Sequence, residues 1–318
     1  MPVIGLDLGG TKLAGALFDA TGEIIGEETV ALDGRGGAAV GALMVECLER
    51  LRAQGGPVKA IGISVPGISH TDTGRVWAPN IPGWDDYPLR DEIVAALAPR
   101  HMPVVIEADR SCYIMGEVWR GAARECRNAI FLAVGTGIGA GILVDGRILH
   151  GAHDISGAIG WMALHHPYEE KFGSCGNFEY YASGDGIARC ARELLAEQPG
   201  YHGPLRDIAA AALTAHDVFA HYDAGDAIAV AALSRAIELW GMATANLVSL
   251  FNPERIIFGG GVFGPAARFL GDIGREARRW AQPISMTQVD LVASSLGGSA
   301  GLYGAGYFAR LAAPHSHP

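Results

Sequence analysis

The chain has 318 residues, of which 49% are apolar and 18% charged, with a formal net charge of −10 at neutral pH. This length favours two domains, and the apolar content is sufficient for a substantial core in each. An acidic chain has no electrostatic footprint for nucleic acid or for an anionic membrane, so we expect neither as a partner. The longest apolar run, 129–144, is interrupted by glycines and is therefore not a transmembrane helix.

Cysteine usage indicates the redox environment. The chain has five cysteines, an odd number without C-x-x-C spacing, at Cys47, Cys112, Cys126, Cys175 and Cys190. This pattern favours reduced thiols and a cytoplasmic location. The first residues predict a strand rather than a basic leader, so we expect no signal peptide.

Hydrophobic periodicity predicts an α/β protein in which a similar order of strands, glycine turns and helices occurs twice. In the first half, we expect strands at 3–8, 12–18, 24–29, 60–65 and 104–107, and helices at 37–54, 89–97 and 111–119. The second half predicts strands at 128–134, 142–144 and 255–258, and helices at 184–197, 214–224, 226–251 and 298–311. Repeated strand and helix units of this kind imply mixed sheets flanked by helices.

The segment 5–12 places a carboxylate and a glycine turn at the end of the first predicted strand. Glycines adopt positive φ and let backbone N–H groups converge on a phosphate. Asp7 is predicted to bind Mg²⁺, directly or through water, and Lys12 adds a point charge. Taken alone, the segment is equally compatible with a plain hairpin turn. The candidate phosphate-binding residues here are Asp7, Gly9, Gly10, Thr11 and Lys12.

Two more strands end in glycine-rich turns. Three strands that each end in such a turn are more than a structural protein needs. The turn after residue 134 is a second candidate phosphate cradle, and the turn after residue 258 can give an adenine ring close access to the backbone. The corresponding candidate nucleotide-binding residues are Gly135, Thr136, Gly137, Gly259, Gly260 and Gly261.

Taken in order along the chain, these motifs resemble the ROK family of repressors, open reading frames and sugar kinases, which belongs to the actin-like ATPase superfamily. The resemblance rests on 5–12, 65–67, 79–84, 107–109, 135–139, Glu179 with 182–184, 259–261 and 296–302. It implies two actin-like (ribonuclease H-like) α/β domains with an active-site cleft between them. The expected domains are 1–120 with 298–318, and 121–297.

The resemblance also implies an activity. We expect an ATP- and Mg²⁺-dependent kinase that phosphorylates a hydroxyl, at the 6-position or its equivalent, of a sugar or sugar-like polyol. Asp109 follows a predicted strand and faces the edge where α/β proteins bind ligands. The resemblance assigns it as the general base, a role compatible with that of a helix N-cap. The expected acceptor contacts are Pro66, Gly67, Asn80, Asp109, Trp161 and Glu179, and a homodimer is expected.

The acceptor motifs depart from the family pattern. Ala108 stands where the family has an asparagine, Ala158 where it has a glutamate and Trp161 where it has a histidine. With both alanines expected to be buried, plain glucose should bind poorly. The expected acceptor is a modified hexose, a deoxy or N-substituted sugar, or a cyclitol. Arg110 is expected to be a surface arginine, with an inward orientation as the alternative.

The family's structural zinc site is also missing from this sequence. The positions of its histidine and cysteines hold Trp161, Glu170, Phe172 and Asn177, and of that motif only Glu179 remains. We therefore expect no zinc, with Trp161, Phe172 and Phe178 packing in its place. The alternative set, Cys175 with His153, His165 and His166, has a spacing that fits no known tetrahedral pattern.

Two other functions remain as alternatives to the kinase. A transcriptional repressor of the family would need a helix-turn-helix domain before the phosphate motif, which starts at residue 5, and the acidic charge disfavours DNA. A catalytically weak sugar sensor without a DNA-binding domain would explain the altered acceptor motifs. The presence of both Asp7 and Asp109 favours the kinase over the sensor.

Overall fold

The computed structural model describes residues 2–98 and 101–314 and consists of two compact units. The first comprises Met1–Glu125, Ile148–Ser156 and Gly298–Pro318, and the second comprises Cys126–Arg147 and Gly157–Gly297. The sequence assigned 148–156 to the second domain, whereas this segment packs with the first unit. We call Ile148–Ser156 the strap. Residues 315–318, which the sequence assigned to the first domain, lie outside the described residues.

Both units contain strands and helices, as the periodicity predicts, and each unit begins with consecutive strands. The strands are β1 (Val3–Leu8), β2 (Lys12–Phe18), β3 (Ile24–Ala31), β4 (Ile61–Val65), β5 (Ile68–Ser69), β6 (Val76–Trp77), β7 (Val104–Ala108), β8 (Ala129–Val134), β9 (Ile138–Val144), β10 (Arg147–Ile148), β11 (Arg255–Gly259) and β12 (Asp290–Ala293). The helices are α1 (Ala38–Gly55), α2 (Leu89–Leu97), α3 (Asp109–Arg120), α4 (Asn177–Ala182), α5 (Gly184–Glu197), α6 (Ala215–Tyr222), α7 (Ala227–Phe251), α8 (Leu270–Trp280), α9 (Pro283–Met286) and α10 (Ala300–Ala312).

The first unit is built on a sheet with strand order β3-β2-β1-β4-β7. The first three strands form an antiparallel meander, whereas β4 and β7 run parallel to β1. Alternate residues of β3 are exposed, as in an edge strand with one solvated face, whereas β4 is buried throughout. The carboxyl ends of β1, β4 and β7 therefore lie along the same edge of the sheet.

Glycines in this sheet allow α10 to lie close against it. A Cβ at Gly5 would come within 2.7 Å of the amide nitrogen of Gly306 and 2.8 Å of the Leu302 carbonyl oxygen. A side chain at Gly62 would collide with the Ala305 carbonyl in the same way. This close approach brings the start of α10 beside the carboxyl end of β1, where Asp7 lies.

The second unit repeats the arrangement, with strand order β10-β9-β8-β11-β12. β8 and β9 form an antiparallel hairpin, and β11 runs parallel to both β8 and β12. Length and composition alone would allow α7 to cross a bilayer, but over half of its apolar window is buried inside the protein. Buried core helices of soluble proteins share these properties, so α7 is weak evidence for a membrane segment.

Several elements differ from their predicted bounds. β9 begins at Ile138, inside the glycine run that was predicted to be a turn up to residue 141, because residues 138–143 pair with β8 in continuous register. α3 begins at Asp109 rather than at residue 111. The sequence predicted none of α4, α8, α9 and β12, whose patterns are short or strongly polar.

Candidate active site

Three of the candidate segments lie at the carboxyl edge of the first sheet. Asp7 pairs in register with Ser64, and Val65 pairs with Ala108. Asp7, near the end of β1, therefore lies at the same sheet edge as the Pro66-Gly67 turn and Asp109, which follow β4 and β7. In α/β proteins, this edge is where ligands bind.

Asp7 is a partly buried carboxylate in an unfavourable environment for its charge. Its pKa is raised to about 6, mainly by burial and also by the nearby negative charge of Asp109, while the Ser64 hydroxyl and the charge of Lys12 oppose the rise. Space for this carboxylate depends on Gly301, because a Cβ there would lie 2.6 Å from Oδ2 of Asp7. The sequence analysis missed both Ser64 and Gly301.

The β1–β2 turn that follows Asp7 is closed by a hydrogen bond of 2.9 Å from the Gly9 amide to the Lys12 carbonyl. Thr11 and Lys12 are exposed at this turn. A Cβ at Gly10 would lie 3.6 Å from Cβ of Asn80. The structure therefore places the candidate phosphate turn next to the loop that carries the candidate acceptor residue Asn80.

Asp109 is the first residue of α3 and is not its N-cap, because Ala108 occupies that position. Its Oδ1 accepts a hydrogen bond of 2.7 Å from the Arg110 amide, and its Oδ2 accepts one of 3.2 Å from the Tyr113 hydroxyl. Burial raises the pKa of Asp109, and the Arg110 charge lowers it. Both Asp109 and Asp7 are thus partly buried carboxylates, and the charge of Asp109 contributes to the raised pKa of Asp7.

Arg110 is not the surface arginine that the sequence predicted. Its side chain is part-buried, and its guanidinium donates to the backbone carbonyls of Gly67, Asp154 and Ser156 at 2.8, 2.9 and 2.8 Å. The prediction failed because these acceptors are more than 40 residues away along the chain.

In the second unit, the two remaining glycine turns lie beside each other. Ala133 pairs in register with Gly259 on the neighbouring parallel strand, so both turns follow the same sheet edge. A Cβ at Gly135 or at Gly261 would meet no protein atom within 4 Å. Backbone at these two positions therefore borders open space, as a nucleotide-binding surface requires.

Glu179 lies in α4 and points to the turn at 135–137. Its Oε2 accepts a hydrogen bond of 2.6 Å from the Ile138 amide, and a Cβ at Gly137 would lie 2.8 Å from the same oxygen. Burial raises the pKa of Glu179, and the Ile138 amide lowers it. The structure thus brings together this candidate acceptor residue and one candidate phosphate turn.

The residues at 158–161 differ from expectation in their exposure. Ala158 is exposed rather than buried, and Trp161 is 58% exposed. Trp161 therefore does not pack into the loop in place of a metal. Its backbone is close to α4, because a Cβ at Gly176 would lie 2.5 Å from Cα of Trp161. The indole is free to form an apolar wall for a ligand.

Aromatic packing occupies the loop where the family motif places zinc ligands. Phe172 is buried, and its ring packs edge-on against those of Tyr180 and Tyr181. Phe178 is also fully buried, and Lys171 lies over this ring cluster. Within 2–98 and 101–314, no three His, Cys, Asp or Glu side chains are arranged to hold a metal ion.

The side chains of the first unit fit a magnesium nucleotide. Mg²⁺ binds through few carboxylates and retains its waters. A divalent cation at Asp7 would also reduce the electrostatic repulsion between Asp7 and Asp109. The glycine turn beside it offers backbone amides, and Lys12 adds one exposed positive charge. This donor set suits the phosphates of a nucleotide.

Comparisons with known proteins agree with this arrangement. The glucokinase of Halalkalibacterium halodurans is 32% identical over 315 residues, covering 96% of this chain and 94% of the relative. The N-acetyl-D-glucosamine kinase of Pectobacterium atrosepticum is 28% identical, with 81% and 83% of the two chains covered. A ROK family glucokinase from Streptomyces griseus, solved in complex with glucose and AMPPNP, has a TM-score of 0.78, 28% identity and coverage of 98% and 100%.

The family model named ROK family matches residues 3–312, nearly the whole chain. Together with the strand-end glycine turns, the two carboxylates and the two α/β units of the actin-like ATPase type, this match shows that the chain belongs to the ROK family.

Proposed function

We propose that this protein is an ATP-dependent sugar kinase that transfers the γ-phosphoryl group to a hydroxyl of a sugar or sugar-like polyol. The observation that carries the proposal is the pair Asp7 and Asp109, two partly buried carboxylates at one sheet edge, each followed by a segment of candidate ligand contacts. The glucokinase and N-acetyl-D-glucosamine kinase relatives support the reaction class.

Asp109 is the general base in this proposal. Its carboxylate accepts the proton of the acceptor hydroxyl while that oxygen forms a bond to the γ-phosphorus and the bond to the leaving ADP breaks. The hydrogen bonds from the Arg110 amide and the Tyr113 hydroxyl stabilise its ionised form. They also orient the carboxylate, which matters because phosphoryl transfer depends largely on positioning.

Each unit carries candidate nucleotide-binding groups of its own. In the first unit, Asp7 would bind Mg²⁺, directly or through water, and the amides of Gly9 to Lys12 would contact phosphate oxygens; in the second unit, the amides of Gly135 to Gly137 would do so. The turn Gly259 to Gly261 borders the adenosine. When bound, the magnesium ion neutralises charge on the phosphates.

The acceptor pocket differs from that of a typical glucokinase. The proposed acceptor contacts are Pro66, Gly67 and Asn80 in the first unit, and Glu179 and Trp161 in the second. Ala158 and buried Ala108 remove two polar side chains, and the exposed indole of Trp161 adds an apolar wall. We therefore propose an acceptor with fewer free hydroxyls than glucose, or with an N-acyl or other apolar substituent.

The enzyme is further proposed to be a cytoplasmic homodimer that needs no zinc. The chain has five cysteines, an odd number without C-x-x-C spacing, which supports a reducing compartment. Light scattering coupled to size-exclusion chromatography measures the oligomeric state, and a monomer would contradict this part of the proposal.

ADP release measured against a panel of acceptors tests the function. The panel contains glucose, N-acetylglucosamine, N-acetylmannosamine, deoxyhexoses and cyclitols, each with and without Mg²⁺. We expect Mg²⁺-dependent turnover with at least one of them, and calorimetric binding of ADP with Mg²⁺. Absence of both turnover and nucleotide binding at millimolar concentration would refute the kinase; nucleotide binding without turnover on any acceptor would favour the sensor.

A further inference from the structure

We propose that Arg110 is a positioning residue for phosphoryl transfer, which ties the strap and the Pro66-Gly67 turn to the start of the helix that carries Asp109. The inference rests on the proposed function in one respect, the role of Asp109 as the base. The structural part, a clamp that joins three segments of the first unit, stands on the hydrogen bonds alone.

The guanidinium of Arg110 donates to three carbonyl oxygens in different directions. Nε donates to Ser156 at 2.8 Å, Nη1 to Gly67 at 2.8 Å and Nη2 to Asp154 at 2.9 Å. A guanidinium is planar, with its N–H groups in a rigid fork, so three such acceptors are held around one plane. A lysine retains the charge but cannot reproduce this arrangement.

All three acceptors belong to the main chain, so the clamp holds backbone rather than side chains. Gly67 has a φ of 90°, and a Cβ there would lie 3.2 Å from Cα of Ala78. The turn after β4 is thus packed on one side against the chain after β6 and held on the other by Arg110. Because Gly67 is a candidate acceptor contact, the clamp acts on the surface that would bind the sugar.

Two further ties attach the strap to the same unit. The Thr71 hydroxyl donates to Oδ1 of Asp154 at 3.0 Å, and His150 lies 3.0 Å from Glu107. Each of these joins two segments through a pair of side chains, whereas Arg110 joins three segments through charge-assisted bonds to main-chain carbonyls.

The charge of Arg110 has a second effect, on its neighbour in sequence. Burial raises the pKa of Asp109, and the guanidinium opposes this rise. Arg110 therefore favours the carboxylate form of Asp109, which is the form that accepts a proton. Position and charge both act on the acceptor side of the reaction rather than on nucleotide binding.

The test compares Arg110→Met and Arg110→Lys with Arg192→Met. Arg192 is a matched control, because it is a part-buried arginine that donates to a backbone carbonyl, that of Leu213, in the other unit. The measurements are kcat, the KM for acceptor and for ATP, and hydrogen exchange of peptides that cover 148–157 and 66–69.

We expect Arg110→Met to lower kcat/KM for the acceptor by about 10- to 100-fold, as small misplacements of catalytic geometry do, with the KM for ATP unchanged. Exchange should rise in both segments. Arg110→Lys should recover part of kcat, through the charge, without restoring slow exchange in the strap. Arg192→Met should change none of these quantities.

Arg110→Met with wild-type acceptor kinetics, or with unchanged exchange in both segments, would overturn the inference. If the Met variant does not fold, Arg110→Lys decides the matter, since unchanged exchange in a folded Lys variant overturns the clamp. If the wild-type protein phosphorylates no acceptor, the proposed function fails, and the exchange measurements still decide whether Arg110 holds the two segments.

Discussion

His150 Nε2 lies 3.0 Å from Oε2 of Glu107, so the strap is joined to the end of β7, two residues before Asp109, by an imidazole–carboxylate pair. Glu107 is almost fully buried, whereas about a third of the His150 side chain is exposed. The hydrogen bond with Glu107 raises the pKa of His150. The interaction therefore depends on pH.

This pair predicts a contribution to stability that is greatest in acid. The folded protein binds the His150 proton more tightly than the unfolded chain does, since its pKa is raised from an ordinary value of about 6.5. The stabilisation is complete below that ordinary value and disappears as the pH rises through the raised one. We expect His150→Asn to lower the melting temperature more at pH 6 than at pH 9. Equal losses at both pH values would contradict the assignment; the same change at exposed His165 is the control.

The general base can be tested with a substitution that preserves its shape. Asp109→Asn retains an oxygen that accepts from the Arg110 amide, but it cannot take the proton. We expect kcat to fall about 10²- to 10⁴-fold, while ADP affinity and melting temperature remain close to those of the wild type. Asp85→Asn changes an exposed carboxylate in the neighbouring 79–86 region and should have no effect. A variant at Asp109 with full activity would show that this carboxylate only orders the start of α3.

Local pattern was sufficient to predict the fold class and the segments that carry Asp7 and Asp109. Apolar runs that end in glycines mark the ends of strands directly. The carboxyl ends of neighbouring parallel strands lie at the same edge of a sheet. The contacts of Arg110 and His150 could not be predicted in this way, because their partners are 43 to 46 residues away in sequence. Ser64 could have been found, since it follows from pairing β4 with β1 in register.

The exposure of Trp161 illustrates a second limit of the sequence. A tryptophan next to Phe172 and Phe178 in a motif that lacks its metal ligands suggests apolar packing. In the structure, Tyr180 and Tyr181 complete that cluster instead, and α4, which carries them, is only six residues long. Such a short helix has too few residues to display a period, so its tyrosines could not be placed on the inner face.

Zinc content is the direct test of the altered loop. We expect elemental analysis of the purified protein to find no stoichiometric zinc, and a chelator to leave the melting temperature unchanged, because Phe172 packs where the family motif has a cysteine. One zinc ion per chain that is retained through a chelator would contradict the expectation. In that event, Cys175→Ser would show whether the single thiol of the loop is a ligand.

The acceptor preference follows from Ala108, Ala158 and Trp161. A missing hydrogen bond to a buried sugar hydroxyl, as expected beside buried Ala108, costs about 1–3 kcal/mol, and about 1.4 kcal/mol corresponds to tenfold in binding. At exposed Ala158, water replaces part of the lost bond, so the cost there is smaller. We expect glucose to have a high KM and the double variant Ala158→Glu/Trp161→His to lower it. Glu179→Ala should impair every acceptor. A sub-millimolar KM for glucose in the wild type, with faster turnover than any analogue, would show that other groups supply the missing bonds.

Gly260 and Gly261 are adjacent in the turn after β11, and their environments predict a structural role for Gly260 and a binding role for Gly261. Gly260 has φ 86° and ψ 170°, a conformation that is essentially restricted to glycine, and a Cβ there would press on the Val134 carbonyl group. Gly261 lies outside that region of φ, and its Cβ would meet no protein atom within 4 Å.

Substitution by alanine should therefore affect stability at Gly260 and nucleotide binding at Gly261. Gly260→Ala should lower the free energy of unfolding by about 1–3 kcal/mol, the usual cost of such backbone strain. Gly261→Ala should leave stability within about 0.5 kcal/mol, as for other exposed positions, yet weaken ADP binding, because its methyl group enters the space assigned to the nucleotide. Gly135→Ala should behave like Gly261→Ala. Denaturant unfolding and calorimetry with ADP and Mg²⁺ measure the two quantities; wild-type ADP affinity in both Gly135→Ala and Gly261→Ala would mean that the nucleotide does not approach these turns.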